Sequence, residues 1–158
     1  RRVEHAPLSR RIMDSEHPCP EATTPDALSA AARQIAETIS AAGIATFTTT
    51  GSTAWRASRE RPTVPILGLS ARRETARRLA LAWGVHPVWT FDVQSFSEMV
   101  ERASMVAAQE GIGSPGQSLI VTAGVPFGTP GTTNSLRVVT IAADSLVTPA
   151  KTEVYEPA

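Results

Sequence analysis

The chain has 158 residues, of which 42% are hydrophobic and 19% charged, so it can bury one core and is not expected to be disordered. Its 15 basic and 15 acidic residues cancel, which gives no electrostatic reason to expect a nucleic-acid or anionic-membrane partner. No apolar run approaches the roughly 18 residues of a membrane span, no signal-peptide core follows Arg1, and the single Cys19 excludes an internal disulfide. The composition therefore predicts a soluble, cytoplasmic protein.

The first 23 residues are predicted to connect the domain to something upstream. Pro18 and Pro20 lie two positions apart, and two prolines at that spacing do not fit the interior of a helix. Residues 1–23, which do not begin with methionine, are interpreted as the end of a preceding helix and a linker. The apolar pattern fades again near the C-terminus, so residues 143–158 are interpreted as a tail and residues 24–142 as the domain.

Helical and strand-like segments alternate within the domain. The first helix is predicted to start at Thr24, with Asp26 favourable to its dipole, and to close at Gly43, while Ser70 is predicted to cap the third helix. The predicted strands are 44–50, 64–69, 85–91, 119–123 and 136–141, and the helices after the first are 53–60, 71–83 and 95–110. This order predicts an α/β three-layer sandwich with helices on both faces of a five-stranded, mostly parallel sheet. The last strand follows the fourth without a helix, so it is predicted to pair antiparallel.

The junction between the first strand and the second helix is the strongest candidate for a binding site. Hydroxyl side chains and one glycine follow the strand directly and lead into a helix, in the order Thr48, Thr49, Thr50, Gly51, Ser52 and Thr53. Free N–H groups of a first helical turn, together with hydroxyls, can bind a phosphate, although the same pattern is also typical of a simple helix cap. The loop 124–134 leaves the same edge of the predicted sheet, where ligands bind in α/β proteins.

Several common motifs are absent. The junction has one glycine, so it is not a dinucleotide-binding fingerprint, and without a lysine it is not a Walker A loop; the only lysine, Lys151, lies in the tail. His5, His17 and His86 have no metal-ligand spacing, and His86 is expected to pack within its strand. No pair of carboxylates is marked for acid–base chemistry, so neither a catalytic nor a metal site is predicted. The arginines of the third predicted helix are expected to form a solvated face; they are Arg72, Arg73, Arg77 and Arg78.

An ordered series of short segments resembles the C-terminal domain of pyruvate kinase, of the bacterial type. The series covers roughly residues 25–142, and its order and spacing are more specific than any one of its motifs. The matching segments are Ala31-Ala32-Arg33-Gln34-Ile35-Ala36, Thr48-Thr49-Thr50-Gly51-Ser52-Thr53-Ala54, Arg61-Pro62-Thr63-Val64-Pro65-Ile66-Leu67, Trp83-Gly84-Val85-His86-Pro87, Gly116-Gln117-Ser118-Leu119-Ile120-Val121 and Gly131-Thr132-Thr133-Asn134-Ser135-Leu136-Arg137-Val138.

The resemblance implies that the whole enzyme transfers a phosphoryl group from phosphoenolpyruvate to ADP in glycolysis, giving pyruvate and ATP. It also implies a need for Mg²⁺ and K⁺ in the whole enzyme, with the catalytic and metal-binding residues in a barrel domain. Residues 1–23 would include the end of the last barrel helix. This chain alone is then expected to be non-catalytic and to bind no cofactor, and its partners are expected to be the barrel domain of the same chain and the other subunits of a homotetramer.

The resemblance further implies an allosteric site for a phosphorylated effector. Its residues would be Thr48, Thr49, Thr50, Gly51, Ser52, Thr53, Gly128, Gly131 and Thr132. Bisphosphate-binding relatives have a lysine where Thr49 stands and a second basic residue near the position of Met99, close to Arg102. The expected effector is therefore a sugar monophosphate or a nucleotide monophosphate. Two alternatives stay open: a purely structural association module without a ligand, and a standalone domain of the same fold, such as a small phosphatase or phosphotransferase.

Overall fold

The computed structural model describes residues 20–126, 129 and 132–143. Its helices are α1 (Thr24–Thr38), α2 (Ser52–Arg59), α3 (Arg73–Leu79) and α4 (Phe96–Gln109). Its strands are β1 (Gly43–Phe47), β2 (Ile66–Ser70), β3 (Val85–Trp89), β4 (Ser118–Gly124) and β5 (Thr133–Thr140). No helix in these described ranges is both long enough and apolar enough to cross a membrane. The segments 1–19 and 144–158, which include most of the predicted linker and tail, lie outside the described residues.

The strands form one sheet in the order β3-β2-β1-β4-β5. β1 pairs parallel with β2 and with β4, β2 pairs parallel with β3, and β4 pairs antiparallel with β5. The predicted fold class, including the antiparallel last strand, is confirmed. The chain moves outward through β1, β2 and β3 and then returns past β1 to β4, so with right-handed crossovers α2 and α3 cover one face and α4 the other.

The two faces of the sheet bury different side chains. On the α4 face, Met99, Ala103 and Val106 pack against the strand residues Leu67 and Val121 in the larger apolar cluster. On the other face, a smaller cluster joins α1 to the middle of the sheet and contains Ala32, Ala36, Ala41, Ile44 and Ile120. The side chains of each strand alternate between the two faces, as expected for a sheet covered on both sides.

The first helix ends earlier than predicted. Its cap is Thr23, whose Oγ1 accepts from the N–H of Asp26 at 3.4 Å, and its last residue is Thr38. Gly43 does not close it, as predicted, but is the first residue of β1. A Cβ on Gly43 would lie 2.9 Å from Ile112 Cγ2 and 3.0 Å from the Pro65 carbonyl oxygen, so the glycine is needed for close packing of the strand.

The prediction for Ser70 was also wrong, because Ser70 is the last residue of β2. The cap position of α3 is Arg72, which makes no side-chain capping hydrogen bond, while Ser70 Oγ accepts from the Arg72 N–H at 3.2 Å in the connecting turn. The arginines of this helix are exposed, as predicted. The guanidinium carbon of Arg73 nevertheless lies 4.1 Å from the centre of the Trp89 ring, on which it stacks.

His86 does not pack within its strand as predicted. It is exposed, and its Nε2 lies 2.6 Å from Glu110 Oε2. The physical reason is that β3 is an edge strand of the described sheet, so this side chain reaches solvent, where it meets Glu110 at the C-terminal cap of α4.

Candidate functional site

The candidate site lies where the chain changes direction across the sheet. β1 lies between β2 and β4, and the connections that leave these strands come together at the carboxyl end of β1, the edge where ligands bind in open α/β sheets. A cavity of about 230 Å³ occupies this place. It is lined by residues that follow four strands, β1, β2, β3 and β4.

The turn after β1 presents the start of α2 to this cavity. Gly51 is the cap position of α2 and has a φ of +94°, a left-handed conformation in which a glycine carries no steric penalty. No side chain caps the helix there. The first N–H groups of a helix have no intrahelical partner and carry a partial positive charge, which favours an anion. Ser52 and Thr53, the first two residues of α2, line the cavity.

Hydrogen bonds from several directions fix the turn, which we call the hydroxyl turn (residues 48–53). Within it, Thr48 Oγ1 accepts from the Gly51 N–H at 2.9 Å, and the hydroxyls of Thr50 and Ser52 lie 3.3 Å apart. From α3, Thr75 Oγ1 donates to the Thr49 carbonyl at 2.9 Å, and Arg78 Nη2 donates to the Thr50 carbonyl at 3.1 Å. The bonds from α3 fix the position of the turn's carbonyl groups, and the bonds within the turn fix its backbone conformation.

A buried hydroxyl pair joins the hydroxyl turn to the start of β5. Thr53 Oγ1 lies 2.7 Å from Thr133 Oγ1, and both residues are buried. In the connection between β4 and β5, Thr132 Oγ1 donates to the Thr129 carbonyl at 2.9 Å. The two loops expected to share the site are therefore in direct contact through their side chains.

Most of the predicted site residues lie together. The predicted site residues that line the cavity are Thr48, Thr49, Thr50, Ser52, Thr53 and Thr132. Gly51 shapes the turn and does not line the cavity, and Gly128 and Gly131 lie outside the described residues.

Sequence reasoning missed part of the cavity. Arg72 follows β2, and residues 90–93 follow β3, and all of them line the cavity. The carboxyl ends of parallel strands lie at one edge of a sheet, so the residues after the second and third predicted strands could also have been expected at the site. The prediction includes only the loops after the first and fourth strands.

Arg72 and Asp92 are the charged side chains among the described residues that line the cavity. Arg102 lies near this region and donates from Nη1 to Thr90 Oγ1 at 3.2 Å, but it does not line the cavity. Met99 is completely buried in the α4 core, so this side chain cannot contact a ligand in the cavity. The cavity thus combines hydroxyls, helix N–H groups, one cation and one carboxylate.

The far end of α2 is held by an ion-pair cluster. Asp26 Oδ1 lies 2.9 Å from Arg56 Nε and 2.8 Å from Arg59 Nη2. Asp26 is 1% exposed, and its Oδ2 has no partner within the described ranges. Burial raises the pKa of Asp26, but the hydrogen bonds and charges of Arg59 and Arg56 outweigh burial and hold the pKa below its ordinary value. The cluster ties α2 to α1 and so helps to position the start of α2.

No group of three or more metal-ligating side chains occurs within residues 20–126, 129 and 132–143. Most hydroxyls of the cavity with an assigned partner bond to each other or to the backbone, and that of Thr90 accepts from Arg102. The arrangement is suited to holding an anion.

The family model for the pyruvate kinase alpha/beta domain matches residues 26–139. The chain belongs to this family. A pyruvate kinase of Methylorubrum extorquens is 43% identical over 136 residues, which cover 86% of this chain and 28% of that protein. A pyruvate kinase of Agrobacterium vitis is 38% identical over 137 residues, which cover 87% of this chain and 29% of that protein. The recognition made from the sequence is confirmed.

Solved structures of pyruvate kinases also resemble this domain. A pyruvate kinase from Cryptosporidium parvum superposes with a TM-score of 0.72 at 27% identity, over 85% of this chain and 26% of that chain. A structure of Cryptosporidium parvum pyruvate kinase in complex with ADP gives a TM-score of 0.72 at 29% identity, over 85% of this chain and 27% of that chain. The chain spans less than a third of the length of these relatives.

Proposed function

We propose that this domain is the C-terminal regulatory domain of a pyruvate kinase and that its cavity binds a phosphorylated effector. The observation that carries the proposal is the uncapped N-terminus of α2, which opens into a cavity at the switch point of the sheet. A phosphate there would accept from the N–H groups of the first turn of α2 and from the hydroxyls of Thr48, Ser52 and Thr53. Helix N-termini are well suited to anions because their N–H groups and dipole act together.

The cation count of the cavity favours one phosphate. Thr49 stands where bisphosphate-binding relatives have a lysine, and Met99, near the position of their second basic residue, is buried in the core. Arg72 is the one cationic side chain of the described residues at the cavity wall. One arginine, a helix N-terminus and several hydroxyls can donate hydrogen bonds to one phosphate group, and with Asp92 on the same wall a second phosphate would find no further cation among the described residues that line the cavity. We therefore infer a sugar monophosphate or a nucleotide monophosphate as the effector.

The whole enzyme would be a cytoplasmic glycolytic pyruvate kinase that transfers a phosphoryl group from phosphoenolpyruvate to ADP. Residues 1–23 would connect this domain, residues 24–142, to a catalytic barrel, and residues 143–158 would be a tail. The barrel would hold the catalytic residues and the Mg²⁺ and K⁺ ions, so the chain alone is expected to show no turnover. The domain would also contribute subunit contacts to a homotetramer.

The binding proposal can be tested on the 158-residue chain by NMR titration. We expect ribose 5-phosphate, glucose 6-phosphate or AMP to shift the amide resonances of residues 48–53 at millimolar concentration or below. Ser52→Glu should abolish the shifts, because it places a carboxylate at the phosphate position without removing a buried hydrogen bond. Thr53→Glu should do the same but also breaks the bond to Thr133. Thr63→Glu, in the exposed turn after α2, is the charge-matched control.

Failure of all three ligands to perturb residues 48–53 would refute the proposal for the chain. A structural role in association is then the remaining candidate. It is favoured by β5, an edge strand of the described sheet whose Val138 is 46% exposed, since an unpaired edge can pair with another chain. Analytical ultracentrifugation would support that role if the chain forms a dimer whose stability does not depend on phosphorylated metabolites.

A further inference from the structure

The charged residues of the cavity wall follow the order of the strands. Asp92 follows β3 at the outer edge, Arg72 follows β2, and the hydroxyl turn follows β1 in the middle of the sheet. Along the wall, the Asp92 carboxylate therefore comes first, the Arg72 guanidinium second and the hydroxyl turn third. A ligand whose phosphate lies at the hydroxyl turn and whose body follows this part of the wall would pass Arg72 and reach Asp92.

The spacing of the strands gives the length of such a ligand. Neighbouring strands lie about 4.8 Å apart, so the ends of β3 and β1 are separated by about 10 Å. That distance is comparable to the span from the phosphate of a hexose or pentose phosphate to the opposite end of its sugar. Asp92 thus lies where the remote end of a sugar phosphate would reach.

A carboxylate at this place has two effects on a ligand. It accepts hydrogen bonds from hydroxyl groups, and it repels a second phosphate. Asp92 is exposed, and its Oδ1 accepts from the Val93 N–H at 3.0 Å, which orients the carboxyl group. Arg102 donates from Nη1 to Thr90 Oγ1 at 3.2 Å and does not itself line the cavity, so Asp92 is the charged side chain that a ligand would meet on this part of the wall.

We propose that Asp92 restricts this site to phosphate monoesters whose remote end carries hydroxyl groups, and that it excludes bisphosphates. This inference rests on the proposed phosphate site and assigns its selectivity to a residue outside the hydroxyl turn. A sugar monophosphate has such hydroxyl groups at its remote end, whereas a nucleotide monophosphate offers only those of its ribose, which lie nearer to the phosphate than its base does.

The test compares two ligands that differ only in the second phosphate. Calorimetric titration of the 158-residue chain with fructose 6-phosphate and fructose 1,6-bisphosphate should give tighter binding of the monophosphate. Asp92→Asn should narrow the ratio of the two affinities, and Asp92→Lys should move it by about tenfold or more toward the bisphosphate at low ionic strength. The shift should decrease in high salt because Asp92 is exposed. Glu101→Lys changes the charge equally on an exposed residue of α4 outside the cavity lining.

The outcomes separate the two levels of the proposal. If fructose 6-phosphate or inorganic phosphate shifts residues 48–53 but Asp92→Lys moves the ratio no more than Glu101→Lys does, the role of Asp92 is refuted and the phosphate site stands. Tighter binding of the bisphosphate to the unmodified chain also refutes the role of Asp92. If neither fructose 6-phosphate nor inorganic phosphate affects residues 48–53, the phosphate site itself fails. AMP, titrated in parallel, tells whether the preferred monoester is a nucleotide or a hexose phosphate.

Discussion

On the α4 face of the sheet the residues of the core cluster are apolar, from Leu67 and Val121 in the strands to Met99 and Val106 in the helix. The opposite face, covered by α1, α2 and α3, buries a smaller apolar cluster together with polar side chains. The buried polar residues there include Asp26, Thr46, Thr53, Ser58, Thr122 and Thr133. One face is held mainly by packing, and the other depends on hydrogen bonds and an ion-pair cluster as well.

The polar face is the one that carries the candidate site. The first turn of α2 faces the cavity. The Thr53–Thr133 contact holds this end of the helix, and the ion pairs with Asp26 hold its C-terminal end. Gly68 of β2 is needed for close packing mainly against β3 and α3, because a Cβ there would lie 3.0 Å from Val85 and 3.2 Å from Leu79, whereas Ala54 of α2 would be at an ordinary contact distance of 3.8 Å. Polar contacts have preferred directions and apolar packing does not, so the polar face can fix the orientation of α2.

The largest effect is expected on the apolar face. Met99→Ala should lower the free energy of unfolding by about 3 kcal/mol, because it removes a completely buried side chain and leaves a cavity. Met105→Ala, at a partly buried position of the same helix, should cost less than half as much. Urea unfolding measures both. Phosphate affinity of the folded Met99→Ala protein should stay within about twofold of the original; a larger loss would contradict the separation of the two faces.

The next effect concerns the ion-pair cluster. Asp26→Asn should lower the free energy of unfolding at pH 7 by about 2 kcal/mol, since the buried carboxylate accepts from two arginines. The pKa of Asp26 is lowered in the folded protein. Its contribution is therefore complete above the ordinary carboxyl pKa and is lost as the pH falls through the lowered value.

Urea unfolding of both proteins over a series of pH values tests this sign. The advantage of the original protein over Asp26→Asn should shrink on acidification and should not grow. Glu37→Gln, which weakens the i,i+4 pair with Arg33 at 3.3 Å on the partly buried side of α1, should cost about 0.5 kcal/mol. An equal cost for the two variants would show that the Asp26 cluster is no stronger than a pair within one helix.

A smaller effect is expected from the buried hydroxyl pair. Thr53→Val should cost about 1.5 kcal/mol, because it leaves the Thr133 hydroxyl buried without its partner. Replacing both Thr53 and Thr133 by Val should cost less than the sum of the single changes. A double-mutant cycle by urea unfolding measures this coupling, and strict additivity would mean that the 2.7 Å contact contributes nothing.

The smallest effect separates stability from binding. Gly51→Ala and Gly84→Ala both place a Cβ at a left-handed position, with φ of +94° and +68°, and each should cost about 1 kcal/mol. A Cβ meets only ordinary contacts at Gly51 and nothing within 4 Å at Gly84. Only Gly51→Ala should weaken phosphate binding, as measured by NMR titration. Equal loss of binding in both variants would argue against a specific role of the hydroxyl turn.

The sequence was sufficient to predict the nine elements of the described domain and the orientation of β5. Hydrophobic periodicity identifies elements well, but their ends depend on contacts with distant segments. Gly43 shows this: a glycine after a helix is a common terminator, and only the approach of Ile112 and Pro65 reveals that it belongs to the strand. Ser70 is a second example, because it continues a strand whose neighbour in the sheet is β3.

The candidate site was predicted in part, for a related reason. The hydroxyl turn is contiguous in the sequence, so its pattern is visible there. Arg72 and Asp92 are separate from it, and they join the cavity only because β2 and β3 lie beside β1 in the sheet. Asp26 was interpreted as a favourable charge at a helix start, and its partners, Arg56 and Arg59, lie on a different helix. Long-range partners of this kind leave no local signal.

The position of β1 between β2 and β4 also has a consequence for the order of folding. β2 follows β1 closely in the sequence, whereas Leu119, which pairs with Gly43, comes after three further helices and two strands. Contacts between distant segments form more slowly because a longer loop must close, so we expect β1, β2 and β3 to associate before β4 docks. The hydroxyl turn, Arg72 and Asp92 belong to the early part, and Thr132 and Thr133 to the late part. A bound phosphate ester would therefore bridge the two parts and oppose their separation.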